Sequence, residues 1–294
     1  MPSKETLCSV HPDNKEIDNI LHISIFILAG GRGSRLRSNH LSEIASSTKL
    51  MTEIELANKP RPMIAYTLDG ILGISGKIKP SPLAILTANH PDSDPEAIES
   101  YVKNHQAKGI IDLEIVREPK LLGTAGAVYN ALKLLRTENT VIICPGDVLY
   151  PYSNLFDLVE AHYHGGTSIT WAVTSQPGEG AQNSGRLWIN SNSMELTHSY
   201  ESSSEQLPTP PNNISFMTSV GVVVIESVNY LNSFRLFKDE IHQETPDLYR
   251  SYIPWVLSKG EKVLTYDIAT PAPDLGTSER LMLFGRKNNT TNQT

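Results

Sequence analysis

An apolar run, Ile23-Ser-Ile-Phe-Ile-Leu28, is cut off at Gly30, and three glycines and three arginines then fall within positions 30–37. A run this rich in β-branched residues reads as a strand buried on both faces, which belongs in a parallel sheet covered by helices. Glycine lets the backbone turn sharply and approach a ligand, because it has no Cβ. Successive N–H groups in such a turn make an anion-binding concavity. Arginine adds a planar, permanently charged fork that matches phosphate oxygens. A strand that ends in a basic glycine loop therefore predicts a phosphate site at the carboxyl edge of an open α/β sheet.

The rest of the chain repeats the alternation. Apolar runs at 82–87, 110–116, 141–144, 168–173, 219–225 and 263–268 predict strands, and 186–189 with 194–198 predicts a hairpin. Helical spacing of apolar residues predicts helices over 64–72, 95–105, 127–135, 248–257 and 277–284, with Pro254 kinking or restarting the fourth. The fold class expected is α/β, a Rossmann-like mixed and mostly parallel sheet with helices on both faces. Gly30, the Gly123 turn and Asp147 each follow a strand, so they are expected to converge on one crevice. Residues 1–21 read as a polar arm, 22–286 as a single domain and 287–294 as a polar tail.

The formal charge of -7 over 294 residues argues against nucleic acid or an anionic membrane as a partner. An anionic substrate must then be held by local positive charge. Two cysteines, Cys8 in the arm and Cys144 in an apolar strand, imply no disulfide framework, and Cys144 reads as a small core residue. The N-terminus has no signal-type apolar core and no run is long enough to span a bilayer, so a cytoplasmic location is expected.

Known phosphate motifs narrow the choice. The P-loop spacing is absent, and the dinucleotide fingerprint fails because Leu36 stands where its third glycine is required. A glycine loop carrying arginines points to a nucleoside triphosphate rather than to a nicotinamide dinucleotide. Two further candidates for metal chemistry are weak. His162-Tyr163-His164 reads as a solvated helix end without a supporting cluster, and Asp92-Ser93-Asp94 lies in a polar loop.

Leu28-Ala-Gly-Gly-Arg-Gly-Ser-Arg-Leu36 resembles the signature of the sugar-1-phosphate nucleotidyltransferases, whose usual form is Leu-Ala-Gly-Gly-x-Gly-Thr-Arg-Leu. The resemblance continues in order to about Phe284: Arg61-Pro62-Met63-Ile64, then Glu118 with Leu122-Gly-Thr-Ala-Gly-Ala127. Gly146-Asp147, Gly185-Arg186, Gly221 and Asp274-Leu-Gly-Thr-Ser-Glu279 follow. It implies a glycosyltransferase-A-like fold and a Mg²⁺-dependent transfer of a nucleotidyl group from a nucleoside triphosphate to a sugar 1-phosphate, with release of pyrophosphate.

By that resemblance, Arg35 holds the triphosphate and Lys49 neutralises charge on the attacked phosphate, with Lys59 a rival for the second basic role. Asp147 and Asp274 hold Mg²⁺. Leu28, Ala29, Gly30, Gly31, Gly33, Ser34, Glu118, Gly123 and Thr124 form the nucleotide side, and Gly185, Glu201 and Gly221 the sugar side. The Leu122-Gly-Thr-Ala-Gly126 turn looks more like the guanylyl-transferring branches, which use mannose or heptose 1-phosphate.

The chain departs from the pattern at three places. Thr48 stands where the family has proline, and the gap from Arg35 to Lys49 is stretched. Ser219-Val220 replaces Asn-Ala. Ser202 follows Glu201 where the family has a phosphate-binding lysine, and no lysine lies between Lys133 and Lys238. Losing one charge-assisted phosphate contact costs roughly 1.5–3 kcal/mol. Two readings follow, an active transferase with an altered acceptor pocket and a non-catalytic subunit that binds a nucleotide or nucleotide sugar.

Overall fold

The computed structural model describes residues 21–31, 49–56, 59–90, 93–105, 111–178, 185–200, 209, 211–275, 277, 279–281 and 284. The opening run forms β1 (Leu21–Leu28), whose residues 23–27 are all buried. It pairs in parallel with β4 (Ile78–Ala88) on one side and β6 (Thr140–Pro145) on the other. β5 (Leu113–Glu118) continues the parallel half beyond β4. On the other flank β10 (Ile214–Glu226) runs antiparallel between β6 and β7 (Ile169–Thr174), and β11 (Val263–Asp267) pairs in parallel with β7. The order is β11-β7-β10-β6-β1-β4-β5, a mixed, mostly parallel sheet. β8 (Arg186–Asn190) and β9 (Leu196–Tyr200) form the expected hairpin and extend the sheet through the first part of β10.

Helices cover both faces, as expected. On one face α1 (Met63–Gly73), α2 (Pro95–Asn104) and α4 (Leu155–Gly165) bury Ile64, Leu68, Ile98, Val102, Leu155 and Leu158 against Ile25, Ile27, Ile85 and Ile142. On the other, α3 (Gly123–Leu135), α5 (Ser227–Ile241) and α6 (Ile253–Ser258) set Val128, Leu132, Phe234 and Trp255 against Phe26, Ile143, Trp171 and Val223. The alternation of Ile25, Phe26 and Ile27 between the two clusters follows from the two-residue period of a strand. Each fully buried aliphatic side chain contributes about 1.5–3 kcal/mol. Among the described residues no helix is long and apolar enough to cross a membrane.

Several local features differ from the sequence expectation, among them the ribbon of β2 (Glu53–Leu56) with β3 (Lys59–Pro62) and the helix Leu155–Gly165, neither of which is among the predicted elements. The helix expected over 248–257 is a π-turn, Leu248–Tyr252, followed by α6, and the restart at Ile253 precedes Pro254 at the first turn, where a missing N–H costs nothing. α3 begins at Gly123, four residues before the predicted Ala127, because tertiary contacts override the low helix propensity of glycine. α5 occupies a stretch for which the sequence predicts no element. His162 is not solvated. It is 1% exposed, with Nδ1 2.8 Å from Thr170 Oγ1 and Nε2 3.0 Å from Glu226 Oε1, and burial lowers its pKa. Cys144 is a buried core residue, its thiol pushed up to about 12 by burial.

Candidate active site

The carboxyl ends of β1, β4, β5 and β6 bring the glycine-rich turns together. Ala29 donates its N–H to the Leu86 carbonyl at 2.9 Å, and Gly146 donates to the Leu28 carbonyl at 3.2 Å. At Gly30 the backbone passes so close to β4 that a Cβ would sit 3.0 Å from Ala88 Cβ. One residue on, Asn89 donates to the Glu118 carbonyl at 2.9 Å, which ties the end of β4 to the end of β5. Gly31 is exposed, with open space around it.

The second turn is built by Glu118. Glu118 is 3% exposed, and its Oε2 accepts the Leu122 N–H at 2.9 Å. Leu122 occupies the N-cap of α3 and has no capping side chain of its own. The carboxylate thus satisfies one of the orphan donors at this helix start. Burial raises the Glu118 pKa to about 7, against the opposing pull of the Leu122 N–H. Gly123 has φ +75°, and a Cβ there would fall on the carbonyl of Pro246. Thr124 Oγ1 accepts the Leu248 N–H at 2.7 Å, and Ala125 donates to the Pro246 carbonyl at 3.1 Å. The start of α3 is therefore locked to the segment ahead of the π-turn.

The third group carries the acids. Past β6 the chain makes a tight turn through Gly146, and Val148 forms an antiparallel bridge with Asp274. Leu275 donates its N–H to the Asp147 carbonyl at 2.9 Å, and Leu149 donates to the Pro273 carbonyl at 2.9 Å. Two acids 127 positions apart, 147 and 274, thereby lie on adjoining backbones. Each carboxylate is paired with a cation from the chain, Asp147 with Lys49 and Asp274 with Arg280. Lys49 stands on a single 3-10 turn, Lys49–Met51, whose Leu50 packs against Gly146. Lys59 lies on a separate two-stranded ribbon, β2 (Glu53–Leu56) with β3 (Lys59–Pro62), and its side chain is exposed. Arg61 on the same ribbon is paired with Asp69.

Of the sugar-side candidates, Gly185 immediately precedes β8 and Gly221 lies on β10. Gly185 accepts the Ser219 N–H at 2.9 Å. Ser219 Oγ in turn accepts from Trp171 Nε1 at 3.0 Å and from the Gly221 N–H at 3.2 Å. A Cβ on Gly221 would lie 2.7 Å from Pro145, the residue ahead of Gly146, so this wall abuts the acidic turn. The Tyr249 hydroxyl donates to the Gly221 carbonyl at 2.5 Å. Gly33, Ser34, Arg35 and Glu201 lie outside the described residues.

Two residues of this edge escape the sequence reading. Arg280 stands six positions after Asp274, in a segment where nothing marks a charge as buried. Tyr249 sits beside Gly221 only because the π-turn points it there, and no sequence signal shows that. Among the described residues no group of three or more His, Cys, Asp and Glu side chains is positioned to hold a metal ion. Asp147 and Asp274 offer carboxylate oxygens, the type of ligand that a hard cation such as Mg²⁺ takes. Asp94 of the Asp-Ser-Asp segment instead caps α2, accepting the Ala97 N–H at 2.9 Å.

A mixed α/β sheet with glycine turns, Lys49 and two acids at one carboxyl edge belongs to the Rossmann-like class, in which ligands bind at the strand ends. The sequence family described as nucleotidyl transferase matches residues 25–194, and the chain belongs to it. A mannose-1-phosphate guanyltransferase of Hypocrea jecorina is 28% identical over 152 residues, which cover 50% of this chain and 37% of that protein. The chain thus aligns with well under half the length of this relative. Among solved structures, HddC from Yersinia pseudotuberculosis complexed with GMP-PN matches with a TM-score of 0.58 at 15% identity, covering 90% of this chain and 99% of that one. A UDP-glucose pyrophosphorylase complexed with UDP-glucose matches with a TM-score of 0.64 at 14% identity, covering 92% and 99%. These structural likenesses establish the fold.

Proposed function

We propose that the chain catalyses Mg²⁺-dependent transfer of a nucleotidyl group from a nucleoside triphosphate to a sugar 1-phosphate. A phosphate oxygen of the sugar 1-phosphate bonds to the α-phosphorus, and the bond from that phosphorus to the bridging oxygen breaks, releasing pyrophosphate. Catalysis of this kind is chiefly positioning and charge neutralisation. The observation that carries the proposal is the adjoining placement of Asp147 and Asp274, with Lys49 paired to Asp147, at the edge where the glycine turns end.

In this reading Asp147 and Asp274 hold the metal, which when bound neutralises phosphate charge and orients the triphosphate. Lys49 and Arg35 meet the charge on the reacting phosphates, and the separate ribbon carrying Lys59 favours Lys49 for the second basic role. Leu28 to Gly31 with Gly33 and Ser34, and Glu118 with Gly123 and Thr124, line the nucleotide side. Gly185, Glu201 and Gly221 line the acceptor side. Guanine is the base we favour, supported by the Leu122-Gly-Thr-Ala-Gly126 turn and by the guanyltransferase among the relatives. The test is pyrophosphate release with each common nucleoside triphosphate against a panel of sugar 1-phosphates that includes mannose and heptose. Release with GTP and Mg²⁺ is expected, and silence across the whole panel overturns the reading.

The missing lysine after Glu201 favours one second reading, a subunit that binds a nucleotide sugar without turnover. Saturable binding of GDP-mannose with no release under any pairing would select it.

A further inference from the structure

The two acids of the edge are held differently. Lys49 and Asp147 keep similar partial exposures of 15% and 21%, whereas the Arg280 side chain is 7% exposed beside an Asp274 that is 31% exposed. Arg280 is held in place by its own backbone. Its N–H reaches Thr277 Oγ1 at 3.3 Å, and the next residue, Leu281, donates to the Thr277 carbonyl at 3.0 Å. A guanidinium does not lose its proton in a protein, so a buried one requires a counter-charge. Asp274 supplies that charge. A divalent cation approaching Asp274 in the nucleotide-free protein must therefore compete with a guanidinium already fixed at the same carboxylate. A triphosphate changes the balance, because its oxygens offer the cation further ligands and offer Arg280 a new anionic partner.

We propose that Arg280 is a positioning residue acting through Asp274. It holds that carboxylate as an internal counter-ion, so the free protein binds divalent cations weakly and the cation enters with the nucleotide. The inference rests on the metal-holding role of Asp147 and Asp274 proposed above.

The test is Mn²⁺ binding to the whole protein without nucleotide, read from the electron paramagnetic resonance signal of free Mn²⁺. The proteins compared are the natural chain, Arg280→Gln and Arg280→Lys, with circular dichroism to confirm folding. The Gln variant is expected to bind Mn²⁺ about tenfold tighter, and the Lys variant, which keeps the charge but loses the planar fork, about threefold tighter. With a nonhydrolysable GTP analogue present, the three affinities should converge. Equal Mn²⁺ affinities without nucleotide overturn the proposal, and the Lys variant decides alone if the Gln variant does not fold. Absence of pyrophosphate release would remove the proposed activity and leave this contrast standing. Equal affinities in an active protein would remove only the role of Arg280.

Discussion

Leu275 donates its backbone N–H to the Asp147 carbonyl over 2.9 Å, which seats Asp274 beside the turn that ends β6. The bond uses main-chain atoms only, so the position of the acidic turn does not depend on the carboxylate it presents. Asp147→Asn should leave the fold intact, because the Lys49 pair is partly exposed and such pairs contribute about 0–1 kcal/mol. Pyrophosphate release should fall at least about 100-fold, the scale of losing a charge that acts on the transition state. Urea denaturation and steady-state rates on the same preparation check both halves.

Gly123 carries the turn that opens α3 in a left-handed conformation. Gly123→Ala meets the cost of that conformation, about 1–2 kcal/mol, and places a methyl on the Pro246 carbonyl. The expected result is a lower denaturation midpoint and a KM for the nucleoside triphosphate raised about tenfold, with kcat less affected. Gly73→Ala is the control. It sits at the end of α1, where an added Cβ meets open space, and should shift stability by less than about 1 kcal/mol.

Glu118 links the turn to pH. Its folded pKa is raised to about 7, above the ordinary carboxylate value of 4.5. Between pH 4.5 and 7 the folded state therefore holds more protons than the unfolded chain. Stability from this group is fully present below pH 4.5 and is lost as pH rises through 7. Glu118→Gln keeps an oxygen for the Leu122 N–H and carries no charge. It should exceed the natural protein in stability above pH 7 by roughly 1–3 kcal/mol, and the gap should close toward pH 5. Urea midpoints for both proteins across that range measure it.

The central strands of the parallel half were legible because β1 and β6 are continuous apolar runs ended by glycine or proline, as at Leu28-Ala-Gly30 and Cys144-Pro-Gly146. The turns of the candidate site were legible for the same reason, since they follow those strands. Other features were hidden. Three of the eight residues of the β2–β3 ribbon are Lys59, Pro60 and Pro62, and proline removes the donors that mark a strand. His162 looks like a polar helix end until Thr170 and Glu226 come to meet it across the fold. Arg280 gives no local sign of burial, because no helical or strand period links it to Asp274, the carboxylate it pairs with. Periodicity reports which face of an element is buried, and it is silent about a charge neutralised by a distant partner.

One edge of β10 has two employments, while the other pairs with β7. Val223–Glu226 pairs with β6, the strand that delivers Asp147, while Ile214–Thr218 pairs with β8 of the hairpin. The two registers do not overlap, and Ser219 to Val222 separates them. For protein engineering this means that the outward-facing residues of the hairpin can be varied while Leu187, Ile189 and Leu196, which belong to the core, are kept. Changes at the exposed positions of β8 and β9 would alter the surface of the hairpin without touching its register on β10. The strand pairs that support the acidic turn would be left as they are.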